Sequence, residues 1–183
     1  MSKIAICMAD GCEEIEGLTV VDLVRRAKLN IDMISINGTD MVKGSHGIEF
    51  KCDKLIEDVD FGDYQGIVLP GGIPGTPNLE SNDCVTEAVK KFAEEGKMVA
   101  AICAAPSILG HLGIVNGKKA TSYPGFDQEM SGCKYKTDSV VKDGNIITSR
   151  GMGTAIDFGL AIIEYMTEKE TSDTMSKNII YKK

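Results

Sequence analysis

The feature that most constrains this chain is a set of strand-length apolar runs separated by stretches of helical periodicity. The runs are KIAICMA (3–9), NIDMISIN (30–37), GIVLP (66–70) and MVAAI (98–102). Between them, LTVVDLVRRA reads as an amphipathic helix, and so does the stretch from about Asp83 to Glu95, where Val85, Val89 and Phe92 share one face. Short buried strands alternating with such helices predict an α/β fold, a mostly parallel sheet with helices on both faces. Residues 38–60 break this rhythm and read as a short antiparallel excursion. DSVVKDGNIITSR reads as a hairpin turning at Asp143-Gly144. A last clear helix is expected over Thr154–Met166, with room for one more short helix in the tail.

The chain has 183 residues, which suits a single domain over 1–183, and it carries no linker, repeat or low-complexity tract. Its formal charge of −7 and the absence of a concentrated basic face argue against nucleic acid or an anionic membrane as a partner. The first apolar run is too short for a signal peptide or a membrane span, so a cytoplasmic location is expected. Six cysteines occur without a CxxC pair, and the two histidines are His46 and His111. Free thiols are the expectation, five of them as small core hydrophobes, and no metal or other cofactor is expected.

In parallel α/β folds, ligands gather beyond the carboxyl ends of the strands. That rule selects DGCEEIEG, PGGIPG, CAAP and SRGMG. Cys103 stands where strand gives way to helix, so the N–H groups and dipole of a helix start would favour its thiolate. The turn has the shape of a nucleophile elbow without its flanking glycines. A buried thiol capping the strand fits the same position. Gly71 and Gly72 allow close backbone approach and could present N–H groups to an oxyanion, or simply form a tight turn. Glu16 belongs to an acidic first helical turn, an ordinary place for carboxylates. Pointed at Cys103 in an apolar cleft, it would share one proton with the thiol.

Other chemistries fail on residue identity. A phosphatase loop needs arginine at 109, which is Leu109; a phosphate-binding loop needs a lysine absent from PGGIPGTPN; a zinc site lacks ligands. A cysteine protease needs an imidazole beside the thiolate. His111 lies about 12 Å from Cys103 if the helix continues, and His46 could arrive only through tertiary folding or from a partner chain.

Taken in order, GCEEIE (11–16), VLPGG (68–72), AAICAAP (100–106) and SRGMGTAIDFGLAIIE (149–164) resemble the ThiJ/PfpI superfamily in its DJ-one branch. The resemblance implies a flavodoxin-like three-layer sandwich and a homodimer. It implies a reactive, easily oxidised Cys103 and a protonated Glu16 bonded to its sulfur. Gly71, Gly72 and Ala104 would surround the thiol with backbone, and Tyr123, His46 and Arg150 would lie around the site. It also implies protection against oxidative stress, with small reactive carbonyls or peroxide as reaction partners. Cofactor-free glyoxalase, deglycase and chaperone activities are ascribed to the family.

Two positions depart from its patterns. Ala104 replaces the histidine that follows the cysteine in the protease-like branch, so a peptidase is not expected. Tyr123 stands in TSYPG where glyoxalase-competent members carry histidine, and a phenol is a weak general base at neutral pH. The readings left open are a carbonyl-processing enzyme, a non-enzymatic redox sensor and a redox-regulated chaperone.

Overall fold

A computed structural model describes residues 3–181. Along the chain run β1 (Lys3–Met8), α1 (Glu14–Arg26), β2 (Asn30–Ser35), β3 (Met41–Lys43), β4 (Glu49–Lys51) and β5 (Lys54–Leu55). Next come β6 (Gly66–Leu69), α2 (Gly75–Glu80), α3 (Asp83–Glu94), β7 (Met98–Ile102) and α4 (Pro106–His111). The last third holds β8 (Lys119–Ala120), β9 (Lys134–Tyr135), β10 (Val140–Asp143), β11 (Ile146–Ser149), α5 (Ala155–Met166) and α6 (Lys169–Asn178).

Seven strands form the central sheet in the order β10-β11-β7-β6-β1-β2-β5, parallel except for β10, which pairs antiparallel with β11. Strand alternation sorts the core into two layers. Ile4, Ile6 and Met8 face α1 and α5, packing with Val20, Val24, Phe158 and Ile162. Ala5 and Cys7 face α2, α3 and α4, packing with Leu79, Val89, Phe92 and Ile108. The mostly parallel sheet is therefore covered on both sides, as the alternation of runs predicts, in a flavodoxin-like sandwich.

The expected excursion is the β3–β4 hairpin, and the hairpin at Asp143-Gly144 forms with Gly144 at φ +61°. Two pairings lie outside the sequence reading. β5 joins the main sheet at its edge beside β2, and β8 pairs with β9 across the segment read as a loop. Their two-residue length leaves no periodicity to detect.

The first helix also begins earlier than LTVVDLVRRA suggests. Glu13 caps it, its side chain accepting the Glu16 N–H at 3.1 Å. Gly17 is needed where α1 crosses β1, since a Cβ there would lie 2.9 Å from Met8 Cε. Within DGCEEIEG, Cys12, Glu14 and Glu16 are all buried.

Chain order reverses between β1 and β6, the place where open α/β sheets build their clefts. The segments after β1, β6 and β7 converge there.

Candidate active site

β7 delivers Cys103 in the left-handed region at φ +65°, a conformation uncommon for any residue with a side chain. Both flanks of the turn are pinned. The Cys103 N–H donates to the Ser149 carbonyl at 3.0 Å, and the Cys103 carbonyl accepts the Tyr123 N–H at 2.8 Å. α4 starts at Pro106, not at Ala104, so the thiol sits in a tight turn ahead of a six-residue helix. The N–H groups of Ala104 and Gly72 point at the sulfur and favour its anion.

Glu16 occupies the first turn of α1 and is 1% exposed. Its Oε2 accepts the Gly71 N–H at 2.9 Å, whereas Oε1 is buried with no hydrogen-bond partner. The carboxyl lies against the Cys103 thiol, and each alters the other's proton affinity. A Cβ on Gly71 would lie 2.6 Å from both Cys103 Cβ and Glu16 Oε2. Glycine is what lets the three segments close on one another.

Burial pushes the Glu16 carboxyl up to about 7, against smaller opposing effects of Cys103 and the Gly71 N–H. Burial and the Glu16 charge together push the thiol up to about 12. The expected dominance of the helix start over the thiol is therefore corrected: desolvation and the neighbouring carboxylate outweigh it. Burial is the larger cause and the Glu16 charge the second, so the thiol keeps its proton while Glu16 is ionised and is released from that repulsion only when Glu16 is protonated. Between the two values the pair holds one proton. The orphaned Oε1 is where a carboxyl proton relieves a buried, unsolvated oxygen.

The remaining residues singled out from sequence divide. Gly72, at φ +94°, turns its N–H to the sulfur, while Gly71 spends its N–H on Glu16 and has none left for an oxyanion. Tyr123 is 50% exposed, and its ring lies 3.3 Å from where a Gly151 Cβ would stand, itself 4.0 Å from Cys103 Sγ. Arg150 is half-buried with Nη1 sealed from solvent and unpaired. His46 turns to α1, its Nδ1 3.1 Å from Glu14 Oε2 and 3.7 Å from Glu13 Oε1. His111 is held by Glu80 and Glu129. Neither imidazole is placed on the thiol.

Four contributors lie in the selected segments DGCEEIEG and SRGMG but carry no role of their own in the sequence reading: Glu13, Glu14, Ser149 and Gly151. The first two stood beside Glu16 in GCEEIE, and helical spacing alone does not say which carboxylate faces a cleft. Glu13, Glu14 and His46 bring one ligand atom each within 4.8 Å, a group able to hold a cation. Glu14 Oε1 already accepts the N–H groups of His46 and Ile48 and so binds the β3–β4 hairpin. Among the other cysteines, Cys7, Cys12 and Cys52 are core residues as expected, but Cys84 is exposed on α3. Two concavities, of 530 and 580 Å³, lie along α5–α6 and α1–α5 and include none of these groups.

The DJ-1/PfpI family model matches residues 2–165. The chain belongs to this family. Within the DJ-1 branch it is 36% identical to protein dj-1beta of Drosophila melanogaster, over 98% of both chains. It is 36% identical to the Parkinson disease protein 7 homolog of Danio rerio, over 97% of this chain and 96% of that one. The solved structure of oxidized Toxoplasma gondii DJ-1 superposes with a TM-score of 0.96 at 33% identity, each chain wholly covered. The chain thus shares the DJ-1/PfpI fold, a mostly parallel sheet flanked by helices. Among the described residues no helix is long and apolar enough to cross a membrane.

Proposed function

We propose that this DJ-1-like chain is an oxidative- and carbonyl-stress protein whose Cys103 and Glu16 act as one proton-sharing nucleophilic pair. The observation that carries the reading is Glu16: a carboxyl sealed from water, with one oxygen orphaned, against a thiol that two backbone N–H groups also face. With the shared proton on Glu16, the sulfur is an anion supported by Gly72 and Ala104. With peroxide, the thiolate attacks one oxygen, the O–O bond breaks, and Glu16 protonates the departing hydroxide to give sulfenic acid, water and an ionised Glu16. A second peroxide converts sulfenate to sulfinate. With a 2-oxoaldehyde, the sulfur adds to the aldehyde carbon, and the oxyanion takes N–H bonds near Gly72. Moving the C1 proton to C2 then yields a thioester, which water hydrolyses to a 2-hydroxy acid without cofactor.

The second route needs a base to move that carbon-bound proton. Both histidines are engaged elsewhere, and Tyr123 occupies the family's histidine position. This favours peroxide chemistry, including a redox-sensing role, over fast carbonyl turnover. A homodimer is also proposed. Glu14 bonds the His46 and Ile48 backbone to α1, and Ile15 and Ile48 on these joined segments are exposed apolar side chains that a second copy would cover. Light scattering that gives a monomer would remove it.

The central test is the pH dependence of Cys103 alkylation, followed by peptide mass, in wild type and Glu16→Gln. The pair predicts an inflection well below the ordinary thiol value of ~8.5, displaced by the substitution. A rate no faster than that of exposed Cys84 at any pH, unaffected by Glu16→Gln, would refute the pair.

A further inference from the structure

His111 ends α4, the helix that follows Cys103, and its ring sits between carboxylates from two distant parts of the chain. Nδ1 lies 2.6 Å from Glu80 Oε1, and Nε2 lies 2.7 Å from Glu129 Oε2. Ionised carboxylates only accept, and neutral imidazole carries one N–H, so both contacts are hydrogen bonds only in the imidazolium. The two carboxylates also hold its proton affinity above the ordinary histidine value. Glu80 from α2 and Glu129 from the facing loop are the charged groups that act on it, and α4, PSILGH, carries no other ionisable side chain.

Each carboxylate connects to the candidate site through short, bonded backbone. Glu80 ends α2, whose Thr76 N–H returns to the Gly72 carbonyl at 2.8 Å. Glu129 ends a 3-10 turn, Asp127–Glu129. The Glu129 N–H donates to the Phe126 carbonyl, and the Phe126 N–H donates to the Tyr123 carbonyl, both at 3.1 Å. Tyr123 is itself bonded to Cys103. α4 and the turn press together so closely that a Cβ on Gly110 would overlap the Glu129 carbonyl.

We propose that His111 is a positioning residue: as an imidazolium it clasps the Tyr123 loop (121–133) to α2 and so sets where Tyr123 stands beside Cys103, releasing the loop when the ring loses a proton. The clasp is fully formed below the ordinary histidine value of ~6.5, where the ring is protonated in folded and unfolded chains alike. It weakens as pH rises through the elevated folded-state value, because the neutral ring must abandon one carboxylate. With its side chain 41% exposed, His111 is screened by water and the effect is moderate.

Hydrogen exchange of the intact protein, read by peptide mass and corrected for intrinsic rates, tests this at pH 6.5 and 9. Protection of residues 121–133 is expected to fall about three- to five-fold at the higher pH, the scale of a partly exposed ion pair, with β1 and β7 peptides unchanged. His111→Gln should show the released level at both pH values. His111→Lys, charged throughout with a reference pKa of about 10.4, should restore protection at both. Should His111→Gln fail to fold, Glu129→Gln frees the loop alone and must reproduce the loss. Equal protection of 121–133 at the two pH values overturns the clasp, as does a Glu129→Gln loop protected like wild type, or a loss spread uniformly over the chain. None of these readouts uses Cys103 reactivity, so they are independent of the function proposed for that residue.

Discussion

Replacing Glu16 with glutamine should make the protein's stability less sensitive to rising pH, and the size of the change follows from the site. Burial raises the folded-state value from 4.5 to about 7. Between these values the folded chain binds more protons at this position than the unfolded chain, so stability falls as pH increases through the window. About 2.5 units at 1.36 kcal/mol each is roughly 3 kcal/mol of wild-type stability, present below pH 4.5 and lost by about pH 8. Glutamine keeps an oxygen for the Gly71 N–H and removes the titration. Its constant packing offset therefore cancels when only the slope of the difference is read.

The assay is urea denaturation of both proteins from pH 4.5 to 8, with the difference in unfolding free energy plotted against pH. Depressed groups elsewhere, such as Glu14 and Asp32, titrate in both proteins and drop out. The wild type should lose about 3 kcal/mol relative to Glu16→Gln across the range. Parallel curves would refute the claim that a carboxyl at this position is costly to ionise, and the shared-proton account of Cys103 would go with them.

Gly71→Ala puts a methyl 2.9 Å from the Ile102 carbonyl as well as against Cys103 and Glu16. Thermal unfolding should report a loss of about 1–3 kcal/mol, with the alkylation profile of Cys103 displaced; a neutral substitution would show that the approach of the three segments is not tight. Tyr123→His restores an imidazole beside the thiol and should raise 2-hydroxy acid formation from methylglyoxal by ~10²-fold or more. An unchanged rate would mean that residue 123 is not where the missing base belongs. Phe92 is buried between α3 and the sheet, edge-on to Phe61 at 6.4 Å. Phe92→Ala should cost about 3–5 kcal/mol in urea denaturation while leaving Cys103 alkylation of the folded protein as it was, and a large effect on alkylation would link the two layers of the core.

The sequence by itself determined the architecture, because a strand buried on both faces needs near-continuous apolar residues, and a covering helix needs a stripe at 3.6-residue spacing. Both patterns are local. KIAICMA, GIVLP and MVAAI therefore foretold the parallel sheet, and VVKDGNII foretold the hairpin. The position of Cys103 was equally legible, since a thiol ending a buried strand must lie at the carboxyl edge of the sheet. Periodicity did not say which of Glu13, Glu14 and Glu16 meets it; the resemblance pointed to Glu16, and the tertiary structure supplies the physical reason. Glu13 caps the helix, Glu14 binds the β3–β4 hairpin and Glu16 faces the thiol, and those roles depend on how α1 sits over β1, a packing set by Met8 and Gly17. It also decided the proton affinities, which follow from burial and from contacts 55 and 87 residues apart in sequence. Spacing along a chain records which face a residue shares. It does not record what stands opposite that face, and the chemistry of this site is fixed there.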